Sequence, residues 1–200
     1  MARERIANLQ KRLLSYKQGQ HEKYVSDYLI SITEPFDRLR DQFLQLFDID
    51  ILKKDTGSGA FIGTPSQLRA IMDDLLVLAE ISGINLERAV WKKYPDKCPY
   101  CMTKPCGCGG HKSRPHRRLR IRFPKTGLTL AEAQRMLAEI YPEHPLPEAV
   151  LHVVEEIDET ETEIIISGRD NDIRDEFADV FARISGLATR LEICLEGLIP

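Results

Sequence analysis

Apolar residues recur at three- and four-residue intervals through most of the chain, the spacing that puts one face of a helix against a core. From Arg3 to Phe47, Ile6, Leu9, Leu13 and Leu14 mark one such face, and Tyr24, Tyr28, Ile32, Phe36, Leu39, Phe43 and Phe47 mark another. Pro35 lies inside this stretch and, lacking an N–H, predicts a kink or break there. Asp48 to Pro65 carries Gly57, Gly59 and Gly63 and reads as a mobile connection; no Gly-Lys-Ser/Thr follows, so it is not a phosphate loop. The pattern resumes from Ser66 to Trp91 with Leu68, Ile71, Leu75, Leu78, Ala79 and Ile81 inward, and Gly83 marks a stop before a second short helix. Thr129, with Glu132 three residues on, predicts a capping box opening a helix to Tyr141. Pro142, Pro145 and Pro147 then enforce a turn, and two more amphipathic helices follow. The first carries Val150, Val153, Val154, Ile157, Ile164 and Ile165 on its apolar face. The second carries Ile173, Phe177, Val180, Phe181, Ile184, Leu187, Ala188 and Leu191. Cys194 is expected to continue that apolar side as a packed thiol. The predicted class is all-α.

Polar positions add chemistry to the last two helices. Glu156 and Glu159 flank Ile157, and Glu176 and Asp179 border the stripe of the final helix. Acids three apart share a helix face, so the two pairs can converge on one pocket. Such a pocket repels itself unless a cation fills it, and hard divalent metals take oxygen ligands. The competing reading is that these are ordinary solvated acids. The order HxxEExxE, a short charged loop, then ExxD followed by LA-x-R-L, over about Thr129 to Ile193, resembles the MazG-like all-α nucleoside triphosphate pyrophosphohydrolases. That resemblance implies Glu156, Glu159, Glu176 and Asp179 as magnesium or manganese ligands. It implies hydrolysis of a (d)NTP to the monophosphate and pyrophosphate. Glu155, next to the quartet, is the expected base or outer ligand. His152, one turn earlier, is expected to be packed. Basic residues usually follow the fourth helix in that family; this sequence reads LEGLIP there, so Lys92 and Lys93, or the arginines of a later strand, are expected to meet the phosphates.

The sequence also aligns with itself. Gln67–Glu87 lies over Glu176–Glu196 for 21 positions without a gap, with Leu-Ala, Ile and Leu-Glu identical at matching offsets. Upstream, Glu34 falls on Glu156 and Asp37 on Glu159, and Gln10 and Leu13 fall near Gln134 and Leu137. Gln67 stands in place of Glu176 and Ala70 in place of Asp179, so the first copy should bind divalent metal weakly or not at all. The expected architecture is two MazG-like four-helix-bundle repeats in tandem: a degenerate half at 1–95, a linker at 96–126, and the acidic half at 127–200. Such a chain mimics the dimer that the family generally forms.

The linker holds the most specific pattern. Four of the five cysteines fall within eleven residues, Cys98-x-x-Cys101 and Cys106-x-Cys108. A knuckle supplies two thiolates from one turn, and glycines around the second pair let it reach the same ion, so a structural zinc is expected. His111 or His116 could replace one cysteine. A redox dithiol lacks the strand-to-helix context, and a catalytic zinc lacks an open position. After it, Lys112–Lys125 has seven Lys/Arg and no acid; RLRIRF predicts a short β segment with Leu119, Ile121 and Phe123 inward and Arg118, Arg120 and Arg122 outward. Those arginines fit nucleotide phosphate, nucleic acid, or plain solvation.

Net charge of −3 argues against a dedicated nucleic-acid binder. Clustered cysteines without a disulfide framework place the chain in a reducing compartment, the cytoplasm by default, and no apolar run is long enough for a membrane. The expected partners are a nucleoside triphosphate and, if an apolar face is left over, a second copy; nucleic acid is the lesser expectation. The alternative to the hydrolase is a non-catalytic zinc-containing helical module that binds nucleotide or nucleic acid through its basic strand.

Overall fold

The computed structural model describes residues 5–20, 34–48, 50, 60–108, 127–142, 145–166 and 170–196. They form seven helices: α1 (Ile6–Gln20), α2 (Glu34–Leu44), α3 (Pro65–Ile81), α4 (Leu86–Lys93), α5 (Leu130–Ile140), α6 (Leu146–Ile166) and α7 (Asp170–Arg190). Among the described residues there is no strand, only isolated bridges pairing Arg5 with Thr129 and Phe47 with Phe61. The basic β segment, Tyr24, Tyr28, Ile32, Gly57, Gly59, His111, His116, Arg118, Arg120 and Arg122 lie outside the described residues.

Local signals explain most helix ends. Thr64 caps α3: its hydroxyl accepts from Gln67 N at 3.2 Å, and Gln67 Oε1 accepts from Thr64 N at 2.8 Å. Pro65 then occupies the first helical position, where a missing N–H costs nothing. Thr129 and Glu132 make the same reciprocal cap on α5. Pro35 is the second residue of α2, so it opens a helix there and does not kink one. Gly83 ends α3 at φ +69°, a left-handed conformation that a side chain resists. At the end of α7, Glu192 takes the corresponding turn at φ +57°. The helix stops two residues earlier, at Arg190, so Cys194 is exposed with its Sγ on Glu196 O, not packed in the core as the periodicity implied.

One apolar cluster runs from Ile6 to Leu195 and includes every helix. Phe36 of α2 meets Phe177 of α7 edge-on with ring centroids 5.9 Å apart. Packing is most extensive between α6 and α7, and α4 also lies against α7.

Two buried glutamines make matching sets of bonds. Gln10 Nε2 donates to Ile84 O at 3.0 Å and Leu76 O at 3.4 Å, while its Oε1 accepts from Leu86 N at 3.1 Å. Gln134 Nε2 donates to Ile193 O at 2.7 Å and to Thr189 Oγ1 at 3.3 Å, and its Oε1 accepts from Leu195 N at 3.1 Å. Glu87 Oε2 accepts from Ala7 N, and Glu196 Oε2 accepts from Ala131 N. Ile84 and Ile193, Leu86 and Leu195, and Glu87 and Glu196 are the pairs that the internal alignment superimposes. Each glutamine satisfies backbone groups where a chain leaves its helix, so truncation strands both a donor and an acceptor. Gln134→Ala is expected to cost about 2–4 kcal/mol, read as a lower urea midpoint at unchanged slope.

Candidate functional site

Two clusters of ligand-type side chains stand in the described residues. The first is acidic. Glu156 and Glu159 project from α6 and Glu176 from α7, and one carboxylate oxygen of each lies within 4.8 Å of the others. Glu156 is buried, Glu176 half-buried and Glu159 exposed. Burial, followed by the charges of Asp179, Glu156 and Glu159 and offset in part by Lys93, raises Glu176 to about 7. Burial and Asp179 also raise Glu156, against the pull of Arg183. Glu176 Oε2 is enclosed with no hydrogen-bond partner among the described residues. An octahedral ion with oxygens at about 2.1 Å spaces them roughly 3–4.2 Å apart. The three carboxylate oxygens, within 4.8 Å of one another, are near that range, and Glu176 brings an acceptor oxygen without a hydrogen-bond partner among the described residues.

Asp179 stands at the same wall but already has partners. Lys93 pairs with its Oδ2 and the Tyr94 hydroxyl donates to its Oδ1, both from the end of α4. Lys93 Nζ also donates to Asp175 O at 3.1 Å. Burial alone would lower the Lys93 ammonium, but Asp179, Glu176 and Asp175 outweigh it and the net shift is upward. Lys92 is more peripheral, 4.0 Å from Asp175 Oδ1. Arg183, one turn after Asp179, donates from Nε to Glu156 Oε1 at 3.1 Å. Glu155 stands apart: it is exposed, and its Oε2 is 3.0 Å from His152 Nδ1.

In the first half, the superimposed positions form no such cluster. Gln67, which the alignment lays over Glu176, is the third residue of α3 and is held by the Thr64 cap. Asp37 instead pairs with Arg40, which also bonds Asp158 at 2.9 Å. The helix α7 starts at Asp170, so Glu176 sits about a turn deeper in its helix than Gln67 does.

The second cluster is sulfur. Sγ···Sγ separations are 3.4 Å for Cys98–Cys106, 3.6 Å for Cys98–Cys108 and 3.9 Å for Cys101–Cys106, and all four sulfurs lie within 4.8 Å of one another. A disulfide would bring two sulfurs to about 2.05 Å, whereas a zinc–sulfur distance of about 2.3 Å sets tetrahedral edges near 3.8 Å. The four thiols therefore fit a metal such as zinc. Backbone N–H groups point at them: Tyr100 N to Cys98 Sγ at 3.4 Å, Gly107 N to Cys101 Sγ at 3.3 Å, and Cys108 N to Cys106 Sγ at 3.5 Å. These donors favour thiolate. Hydrogen bonds from Thr103, side chain then backbone, bring Cys101 down to about 5, while burial raises Cys106 and Cys108. The knuckle is docked on α5: Cys106 N donates to Ile140 O at 2.7 Å, and Lys104 bridges Asp96 and Glu139.

Spacing pointed to the acids and cysteines but passed over Tyr94, Tyr141 and Arg183. Arg183 was within reach of the pattern, since it lies four residues after Asp179 and seven after Glu176 on one helix face. Tyr94 carries no spacing signal, and only the packing of α4 on α7 puts its hydroxyl on Asp179. Comparison with family models, with curated proteins and with solved structures finds no match for this chain. Among the described residues, no helix is long and apolar enough to cross a membrane.

Proposed function

We propose that the chain is a divalent-cation-dependent nucleoside triphosphate pyrophosphohydrolase, cleaving a (d)NTP to the monophosphate and pyrophosphate. The observation that carries this reading is the convergence of Glu156, Glu159 and Glu176 within 4.8 Å, with Asp179 at the same wall. Mg²⁺ or Mn²⁺ would be held by these acids. It would supply charge neutralisation at the phosphates and lower the pKa of a bound water. The chain's own residues would do the rest. Lys93 and Arg183 bring positive charge into an otherwise anionic pocket, and Lys92 stands at its edge to meet the leaving pyrophosphate. Attacking water would approach from the side of Glu159, the solvent-open member of the set.

The same reading makes the molecule two copies of one helical unit, 1–95 and 127–200, joined through the four-cysteine linker at 96–126. The matching bonds of Gln10 and Gln134 support it, as does the pairing of Arg5 with Thr129. Lys93 and Tyr94 then belong to the copy that lost two of its four acids and complete the site of the other. A zinc ion on Cys98, Cys101, Cys106 and Cys108 would have a structural role, and four reduced thiols suit the cytoplasm.

The test is pyrophosphate release from a panel of NTPs and dNTPs with Mg²⁺ or Mn²⁺. Release is expected with at least one substrate, and Lys93→Met is expected to slow it about tenfold or more. A panel with no release, yet with retained nucleotide or nucleic-acid binding, would favour the non-catalytic module instead.

A further inference from the structure

The two clusters are joined by a short run of buried side chains. Tyr141, which caps the C-terminus of α5, donates its hydroxyl to Cys98 Sγ at 3.7 Å. Its ring meets that of Tyr94 edge-on, with centroids 5.9 Å apart and planes at 87°. Tyr94 caps α4 and donates its own hydroxyl to Asp179 Oδ1. The preceding residue, Lys93, takes the other oxygen of the same carboxylate. Cys98 follows Tyr94 by four residues, through a turn in which Asp96 has φ +57°. Thus the first thiol of the knuckle and the clamp on Asp179 are parts of one short segment, and Tyr141 ties them a second time through space. Both phenols are held protonated, Tyr94 by burial and then by Asp179, Tyr141 by burial and then by Cys98, so each is a hydrogen-bond donor toward an anion.

We propose that Tyr94 and Tyr141 are positioning residues that couple the four-cysteine cluster to the acidic cluster, so that a metal on the cysteines fixes where Asp179 stands and thereby sets the divalent-cation affinity of the carboxylates. The proposal rests on the reading of Glu156, Glu159, Glu176 and Asp179 as a cation site. Its physical basis is that an outer partner orients a ligand at least as much as the ligand's own helix does. Asp179 has two such partners, and both lie on a segment only eight residues wide, Lys93 to Tyr100, that the knuckle terminates. With zinc in place, the Cys98 sulfur is fixed and gives the Tyr141 hydroxyl a stationary anionic acceptor. The Tyr141 ring then walls in Tyr94. Removing the Tyr141 hydroxyl leaves that ring contact but cuts the link to sulfur, so Tyr94 and Asp179 gain freedom without any change in the acids themselves.

The test uses zinc-loaded full-length protein, with zinc stoichiometry checked for every variant. Mn²⁺ binding is followed by electron paramagnetic resonance, since manganese prefers oxygen to thiolate. In parallel, protein labelled with 3-fluorotyrosine is followed by fluorine NMR, with Tyr94 and Tyr141 assigned through their phenylalanine variants. Tyr94→Phe is expected to raise the Mn²⁺ dissociation constant about tenfold, and Tyr141→Phe to raise it severalfold and to move the Tyr94 fluorine resonance. The double variant is expected to match Tyr94→Phe alone, because both act on one chain of contacts. Full zinc with unchanged Mn²⁺ affinity and an unmoved Tyr94 resonance in Tyr141→Phe would overturn the coupling, as would strictly additive losses. Wild-type protein that binds no Mn²⁺ would instead overturn the acid-site reading, and the Tyr94 resonance would then decide the link by itself.

Discussion

Glu176→Gln is expected to abolish pyrophosphate release, by at least about a hundredfold, while making the metal-free protein more stable at pH 8. Both effects come from one carboxylate. Its oxygen is enclosed, lacks a hydrogen-bond partner among the described residues, and faces three other acids. In the folded chain it therefore takes up a proton near pH 7, against roughly 4.3 in an unfolded one. A raised acid binds its proton more tightly when folded, so its favourable contribution is complete below about pH 4.3 and is lost as pH climbs toward 7. Above that window the ionised group is a net cost. Allowing for the solvent that still reaches this half-buried side chain, the cost is on the order of 1–2 kcal/mol. Melting temperatures should then be equal for wild type and variant near pH 4 and differ by about 3–6 °C at pH 8, the variant higher. Added Mg²⁺ or Mn²⁺ should close or reverse that gap by stabilising the wild type alone. A variant no more stable than wild type at pH 8 would mean that the acids do not crowd one another. Surviving turnover would remove Glu176 from the ligand set.

Cys98→Ser is the second large effect. Cys98 is wholly buried, lies 3.4 and 3.6 Å from two of the other sulfurs, and receives bonds from Tyr100 N and the Tyr141 hydroxyl. A serine oxygen is a poor zinc ligand and too short to reach the same point, so stoichiometric zinc should fall below a half equivalent. Metal binding in such a site is folding free energy. The knuckle also carries the Cys106 bond to Ile140 and the Lys104 bridge to Glu139, which hold it on α5. A loss of about 3 kcal/mol, roughly 6–12 °C in melting temperature, is expected, and a chelator should reproduce it in the wild type. Cys194→Ser is the matched control: that thiol is exposed and not part of the cluster, so zinc content should be unchanged and stability should stay within about 0.5 kcal/mol of wild type. Equal zinc content in Cys98→Ser and wild type would dismiss the four-cysteine site.

The helical class, the cap at Thr129, the stop at Gly83 and the ligand types in both clusters were legible from one-dimensional spacing. The reason is that helix faces and caps are set by residues within about four positions of each other. Cys194 was misjudged for the same reason: where a helix ends depends on the next few backbone torsions, and those answer to packing as well as to residue type. Placing Gln67 over Glu176 was a matter of sequence too. That Gln67 caps α3 while Glu176 faces other acids needed the actual start of each helix.

What the sequence by itself determined is thus local: seven amphipathic segments, a thiol set at metal spacing, and acids aligned along two helix faces. The docking of α4 on α7 decided the rest. It carries Lys93 and Tyr94 across some 80 residues of chain to Asp179, and the seating of the knuckle on α5 carries Tyr141 to Cys98. Contacts of that range are chosen by which apolar faces fill one another's surfaces, a property of the whole core that no window of sequence contains.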